Sequence, residues 1–172
     1  MTLSGIIPLM SELTLEIIAG NLLRQRGWRL AVAESCTGGL VGHRLTNVAG
    51  SSTYYMGSIT AYAYEAKVRL LGVKWDSLEK FGAVSKQVVL EMALGVRRAL
   101  AADVGLSVSG IAGPGGGTPE KPVGYTWVGL STCNHQEACQ FTWDQDRMGN
   151  KILSAEATLQ MLVDYLRSHP DG

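Results

Sequence analysis

Two short apolar runs each break into a turn of very small residues, and that pairing constrains the fold more than any other feature. Residues 29–33, with Leu30 and Val32 alternating, give way to Glu34-Ser35-Cys36-Thr37-Gly38-Gly39. Residues 105–109 give way to Gly110-Ile111-Ala112-Gly113-Pro114-Gly115-Gly116-Gly117. Helical patterns lie between and around them. Residues 11–26 place Leu15, Ile18 and Leu22 at helical spacing, with Ser11 as cap and Gly27 as stop. Residues 85–102 start at a capping Ser85 and carry Val88, Val89, Met92, Val96 and Leu100 as a stripe. Residues 147–167 put Ile152, Leu159, Leu162 and Leu166 on one face, with Asp144 or Asp146 as cap. Helix is also expected at 40–45 and 65–71, and strand at 58–63. Strands alternating with helices predict an α/β domain. A strand pair at 124–131 and 137–143, turning at Asn134, makes the sheet mixed.

Composition narrows the function. Apolar residues make up 46% of 172, enough to bury a core against the entropy of ordering the chain. Lys plus Arg balance Asp plus Glu at 15 each, so the basic excess of a phosphate-tracking nucleic-acid binder is missing. No uncharged apolar stretch approaches the roughly 20 residues of a membrane-spanning helix. The first ten residues are apolar but lack the basic start and small-residue cleavage site of a secretory signal. Cys36, Cys133 and Cys139 form no C-x-x-C pair, so a reducing, cytoplasmic setting is expected.

Three loops hold the residues with chemistry. Around Ser35, Thr37, Gly38 and Gly39, N–H groups at a helix start suit an anion such as a phosphate. The same residues also make an ordinary helix cap. Cys36 lies where a helix field lowers a thiol pKa, yet His43, His135 and His169 offer it no partner, so a packing role is expected. Those scattered histidines and unclustered carboxylates supply no zinc ligand set, and no metal or cofactor is expected. The second loop combines Ser51-Ser52 with Tyr62 and Lys67. A serine is a weak nucleophile until a base takes its proton, and a lysine with a depressed pKa can be that base. A solvated Lys67 paired with Glu65, and a Tyr62 that merely packs, fit the same residues. The third is the glycine loop, which lets backbone approach a ligand while Ser109 adds a hydroxyl. It is neither a P-loop nor a dinucleotide fingerprint.

Ala33-Glu34-Ser35-Cys36-Thr37-Gly38-Gly39, Ala49-Gly50-Ser51-Ser52, Tyr62-Ala63-Tyr64-Glu65-Ala66-Lys67, Gly82-Ala83-Val84-Ser85, Ser109-Gly110-Ile111-Ala112-Gly113-Pro114 and Lys121-Pro122-Val123-Gly124 occur in an order that resembles the CinA C-terminal domain family. The likeness runs from about residue 13 to 166. It implies a three-layer α/β/α domain filling residues 1–172, with a core at about 11–168. For active members it implies nicotinamide-nucleotide amidohydrolase activity of the PncC type, converting nicotinamide mononucleotide and water to nicotinic acid mononucleotide and ammonia. The family's serine–lysine dyad maps onto Ser52 as nucleophile and Lys67 as base, with Tyr62 assisting. Ser35 is the second candidate nucleophile, since both serines sit in glycine-flanked turns. Thr37, Gly38, Gly39, Ser109, Gly110, Gly113 and Gly116 would line the substrate pocket. Arg147, matching the Gly-Asp-Arg motif, would meet the substrate phosphate. A homodimer is also implied. Longer members carry an N-terminal domain linked to ADP-ribose pyrophosphate chemistry, for which 172 residues leave no room.

Two departures stand out. Ala63-Tyr64 replaces the family's Ser-Asn, which is expected to remove a hydrogen bond and to narrow the pocket. Gln145 replaces the motif's glycine, which is expected to strain the loop or displace Arg147. The alternative to an amidase is therefore a catalytically silent, nucleotide-binding relative.

Overall fold

A computed structural model describes residues 13–170. Five strands form one mixed sheet in the order β2-β1-β3-β4-β5, with β1 Leu30–Glu34, β2 Tyr55–Thr60, β3 Val104–Gly110, β4 Tyr125–Ser131 and β5 Gln136–Thr142. β1 lies parallel to both β2 and β3, while β4 and β5 continue antiparallel. β1 and all of β3 but its last residue are buried, as strands covered on both faces must be.

Among the described residues, six helices supply the covering layers. α1 Leu15–Arg26, α2 Leu40–Thr46 and α6 Arg147–Ser168 pack on one face around Leu30, Val32, Leu106 and Val108. α3 Tyr64–Leu71, α4 Trp75–Phe81 and α5 Lys86–Ala99 cover the other around Ala31 and Ala33. Arg44 on α2 ties the first layer together, reaching Glu16 of α1 at 2.7 Å and Glu156 of α6 at 2.5 Å. In the second layer, Gly95 lets α5 press on the end of α3, since a Cβ there would overlap the Leu71 carbonyl.

Helix ends follow local chemistry. Gly27 and Gly72 close α1 and α3 in the left-handed conformation. The Ser85 hydroxyl accepts from the Val88 amide to start α5, and Asp146 Oδ1 accepts from the Gly149 amide at 2.8 Å to start α6. The expected Ser11 cap lies outside the described residues. β2 is set three residues earlier than the pattern suggested, and α4 was not anticipated. The β1–α2–β2 unit returns to one side of β1, and the α3–α5 connection delivers β3 to the other side. The carboxyl ends of β1 and β3 therefore border a crevice where the connections diverge, the usual ligand position in parallel α/β sheets.

Candidate active site

Ser35 follows the last residue of β1, and its amide donates to Val108 O, which holds it level with the end of β3. Lys67 comes from the middle of α3, only 1% exposed. Its Nζ meets Ser35 Oγ at 3.0 Å, Ala61 O at 2.7 Å and Tyr62 O at 3.2 Å. Burial pulls the Lys67 pKa down from 10.5 to about 8, because an ammonium loses hydration there. The solvated, Glu65-paired lysine is thereby excluded.

Ser52 does not join this group. It is exposed in a short 3-10 turn, Ser51–Thr53, just before β2. Main-chain bonds set Tyr54 level with Leu30 at one end of the sheet and Ala61 level with Glu34 at the other. The two strands are parallel, so a residue preceding β2 and one following β1 lie at opposite ends, on the order of 20 Å apart at roughly 3.3 Å per residue.

The turn after Ser35 is organised by Glu34, which the sequence reading passed over. Its carboxylate is fully buried and accepts five hydrogen bonds, from Thr37 Oγ1, Ser58 Oγ and the amides of Gly39, Val41 and Gly42, at 2.7–3.2 Å. The start of α2 is therefore already filled by a protein carboxylate, and the expected ligand anion has no place there. The Thr37 hydroxyl and the Gly39 amide serve this internal cap and face no pocket. A carboxylate ending an apolar strand just before a glycine turn is the signal that marks such a residue. The amides of Cys36 and Thr37 have no backbone partner among the described residues. Burial pushes the Cys36 thiol up to about 11, outweighing nearby amides and Lys67, so it packs as a neutral thiol.

Ser109 stands beside Ser35 on the same sheet face, by strand alternation, and is 1% exposed. Gly110 makes room for the Thr126 hydroxyl and the Cys36 sulfur, which a Cβ would crowd. Gly113 and Gly116 both take positive φ. Gly113 O accepts from Arg147 Nη1 at 2.6 Å, while Arg147 Nη2 donates to Tyr62 Oη at 3.3 Å. Tyr62 thus reaches Lys67 through its carbonyl and Arg147 through its hydroxyl. Lys121 fastens the far side of the glycine loop, donating to Phe81 O and Val84 O. A cleft of about 640 Å³ opens between the loop and the start of α6, lined by Ala112, Pro114, Val123, Arg147 and Lys151 among others.

The departures leave this geometry intact. The Tyr64 ring pairs with Trp75, centroids 6.4 Å apart, and its hydroxyl accepts from the Ala83 amide at 3.4 Å, so it packs on the α4 side. Gln145 is not among the positive-φ residues, and its amide donates to Asn150 Oδ1. Tyr64 therefore does not line the cleft, and Gln145 takes no left-handed backbone angle. What Ala63 removes is a cap: no side chain accepts at the start of α3.

The CinA C-terminal domain model matches residues 12–166. The chain belongs to the CinA C-terminal domain family. Within that family it is 54% identical over 156 residues to a CinA-like protein of Kosmotoga olearia, covering 91% of this chain and 37% of that protein. A CinA-like protein of Salinibacter ruber is 51% identical over 149 residues, covering 87% and 36%. The chain thus spans a little over a third of the length of these CinA relatives. Among solved structures, a competence-damaged protein (CinA) superfamily protein of Klebsiella pneumoniae superposes with a TM-score of 0.86 at 30% identity, covering 90% of this chain and 96% of that one. A competence/damage inducible protein of Agrobacterium tumefaciens gives 0.83 at 34%, covering 91% and 99%. Among the described residues, no helix is long and apolar enough to cross a membrane.

Proposed function

We propose that this CinA-family chain hydrolyses the carboxamide of nicotinamide mononucleotide to nicotinic acid mononucleotide and ammonia, with Ser35 as nucleophile and Lys67 as its base. The observation that carries the reading is the 3.0 Å contact between Lys67 Nζ and Ser35 Oγ, on an amine whose other partners are two main-chain carbonyls. A neutral amine has two N–H bonds and one lone pair. With both hydrogens directed at Ala61 O and Tyr62 O, the lone pair faces the serine hydroxyl. A pKa of about 8 keeps a useful fraction of Lys67 in that form near neutral pH.

Lys67 takes the Ser35 proton as Oγ attacks the carboxamide carbon. Negative charge develops on the carbonyl oxygen, and the Cys36 and Thr37 amides beside Ser35 are the donors for it. The Lys67 ammonium returns its proton to the amide nitrogen as the C–N bond breaks, releasing ammonia and leaving a Ser35 ester. Neutral again, Lys67 deprotonates the water that cleaves the ester, then returns the proton to Ser35. Arg147, beside the cleft, is the contact for the nucleotide phosphate.

Ammonia release from nicotinamide mononucleotide tests the reading. Ser35→Ala and Lys67→Ala should each lower the rate by about 10²–10⁴-fold, the usual worth of a positioned base, while exposed Ser52→Ala should stay within about twofold of wild type. A wild-type chain silent at high enzyme concentration, or a rate that survives Ser35→Ala, overturns it.

A further inference from the structure

Arg147 and Lys151 stand four residues apart on α6, so they share a helix face, and both line the cleft beside the glycine loop. Lys151 is half-buried, and its Nζ lies 3.7 Å from where a Cβ on Gly38 would stand, three residues beyond Ser35. Lys151 therefore stands between the turn that carries the serine and the cleft that it shares with Arg147. Neither cation has an ion-pair partner among the described residues. Arg147 spends two N–H groups on neutral acceptors, Gly113 O and the Tyr62 hydroxyl, which leaves its charge uncompensated. Asp146, the one carboxylate of the lining, has an oxygen committed to the Gly149 amide. The start of α2 is filled by Glu34, so the pull on an anion here comes from these side chains together with the start of α6, on which both stand. Ala112, Pro114 and Val123 supply apolar wall, which weakens screening of the cations.

We propose that Lys151 is the second arm of a phosphate clamp whose first arm is Arg147, and that this pair makes the cleft select a phosphomonoester over the corresponding nucleoside. The proposal rests on the amidase reading for the identity of the remaining part of the ligand. Two cations match the two charges of a phosphomonoester whose second pKa is about 6, where a nucleoside offers them nothing.

The test is calorimetric binding of nicotinamide mononucleotide and nicotinamide riboside to the full chain carrying Ser35→Ala, in which binding is not followed by turnover. Lys151→Gln in that background should weaken the mononucleotide about tenfold, near 1.4 kcal/mol, and change the riboside by less than twofold. Lys151→Arg should restore the mononucleotide to within about threefold, because the charge and reach return. Equal weakening of both ligands marks a packing role and overturns the clamp. So does an unchanged mononucleotide affinity, or no mononucleotide binding at all. Ammonia release by the wild-type chain reads the chemistry separately. A silent enzyme that still discriminates through Lys151 leaves the clamp standing, and an active enzyme that does not overturns the clamp alone.

Discussion

The buried amine at Lys67 makes the pH dependence of the reaction the sharpest quantity to measure. Its pKa is lowered from 10.5 to about 8 by burial. At pH 7 about a tenth of the molecules then hold Lys67 as the free base, against about 0.03% for an ordinary lysine, a gain of roughly 300-fold in the reactive form. Raising the pH from 7 to 9 takes the base fraction from about a tenth to about nine-tenths, so kcat/KM should rise about tenfold and level off above pH 9. The assay is initial-rate ammonia release from nicotinamide mononucleotide across pH 6.5–10 at fixed ionic strength. Lys67→Arg is the control, since a guanidinium keeps its proton throughout and the residual rate should be low and flat. A wild-type profile that is flat from pH 7 to 9, or that inflects only near 10.5, refutes the assignment of Lys67 as base. Stability carries the same signature. Between pH 8 and 10.5 the unfolded chain still binds the Lys67 proton while the folded chain has released it, so stability rises with pH across that window. Below pH 8 both states are protonated, and the folded state bears the full cost of a buried ammonium.

Three further outcomes follow from the packing. Glu34→Gln leaves one carbonyl oxygen and an unwanted amide group facing donors that a carboxylate satisfied, so urea unfolding at neutral pH should show a loss of about 3 kcal/mol or more; a change below about 0.5 kcal/mol would contradict the cap. Ala63→Ser supplies the missing acceptor at the start of α3 and should raise stability by about 0.5–1 kcal/mol in the same assay. Gly95→Ala drives a methyl into the Leu71 carbonyl and should cost about 1–3 kcal/mol as α5 is pushed from α3, with an unchanged midpoint as the contrary result.

Much of the framework was legible because it is written locally. Gly27 and Gly72 end their helices where the sequence put them, Ser85 and Asp146 begin theirs, and both glycine turns follow strand ends. The α4 segment is marked only at its end, by Gly82: Lys74, which precedes it, offers no side-chain acceptor, and the helix spans only seven residues. β2 is an edge strand with no regular alternation of burial, so its pattern did not fix its start. The serine that meets Lys67 was a different kind of question. Ser35 and Ser52 both occupy glycine-flanked turns, and only the parallel pairing of β1 with β2 sends them to opposite ends of the sheet. Glu34 carries a sequence signal, a carboxylate closing an apolar strand before a glycine turn, but that its role is to cap α2 follows only from the five donors that converge on it in space. Lys151 could have been found from its four-residue offset from Arg147 once α6 was assigned.

The dyad and the cations belong to opposite layers. Ser35 and Lys67 meet on the α3 side of the sheet, whereas Arg147 and Lys151 arrive on α6 from the other side. Replacing Lys151 therefore need not disturb Ser35 or its base, whereas Arg147 reaches the base through Tyr62. The hand that grips and the hand that cuts are thus carried on separate layers, so a substitution at Lys151 can alter what is held without touching the pair at Ser35 and Lys67.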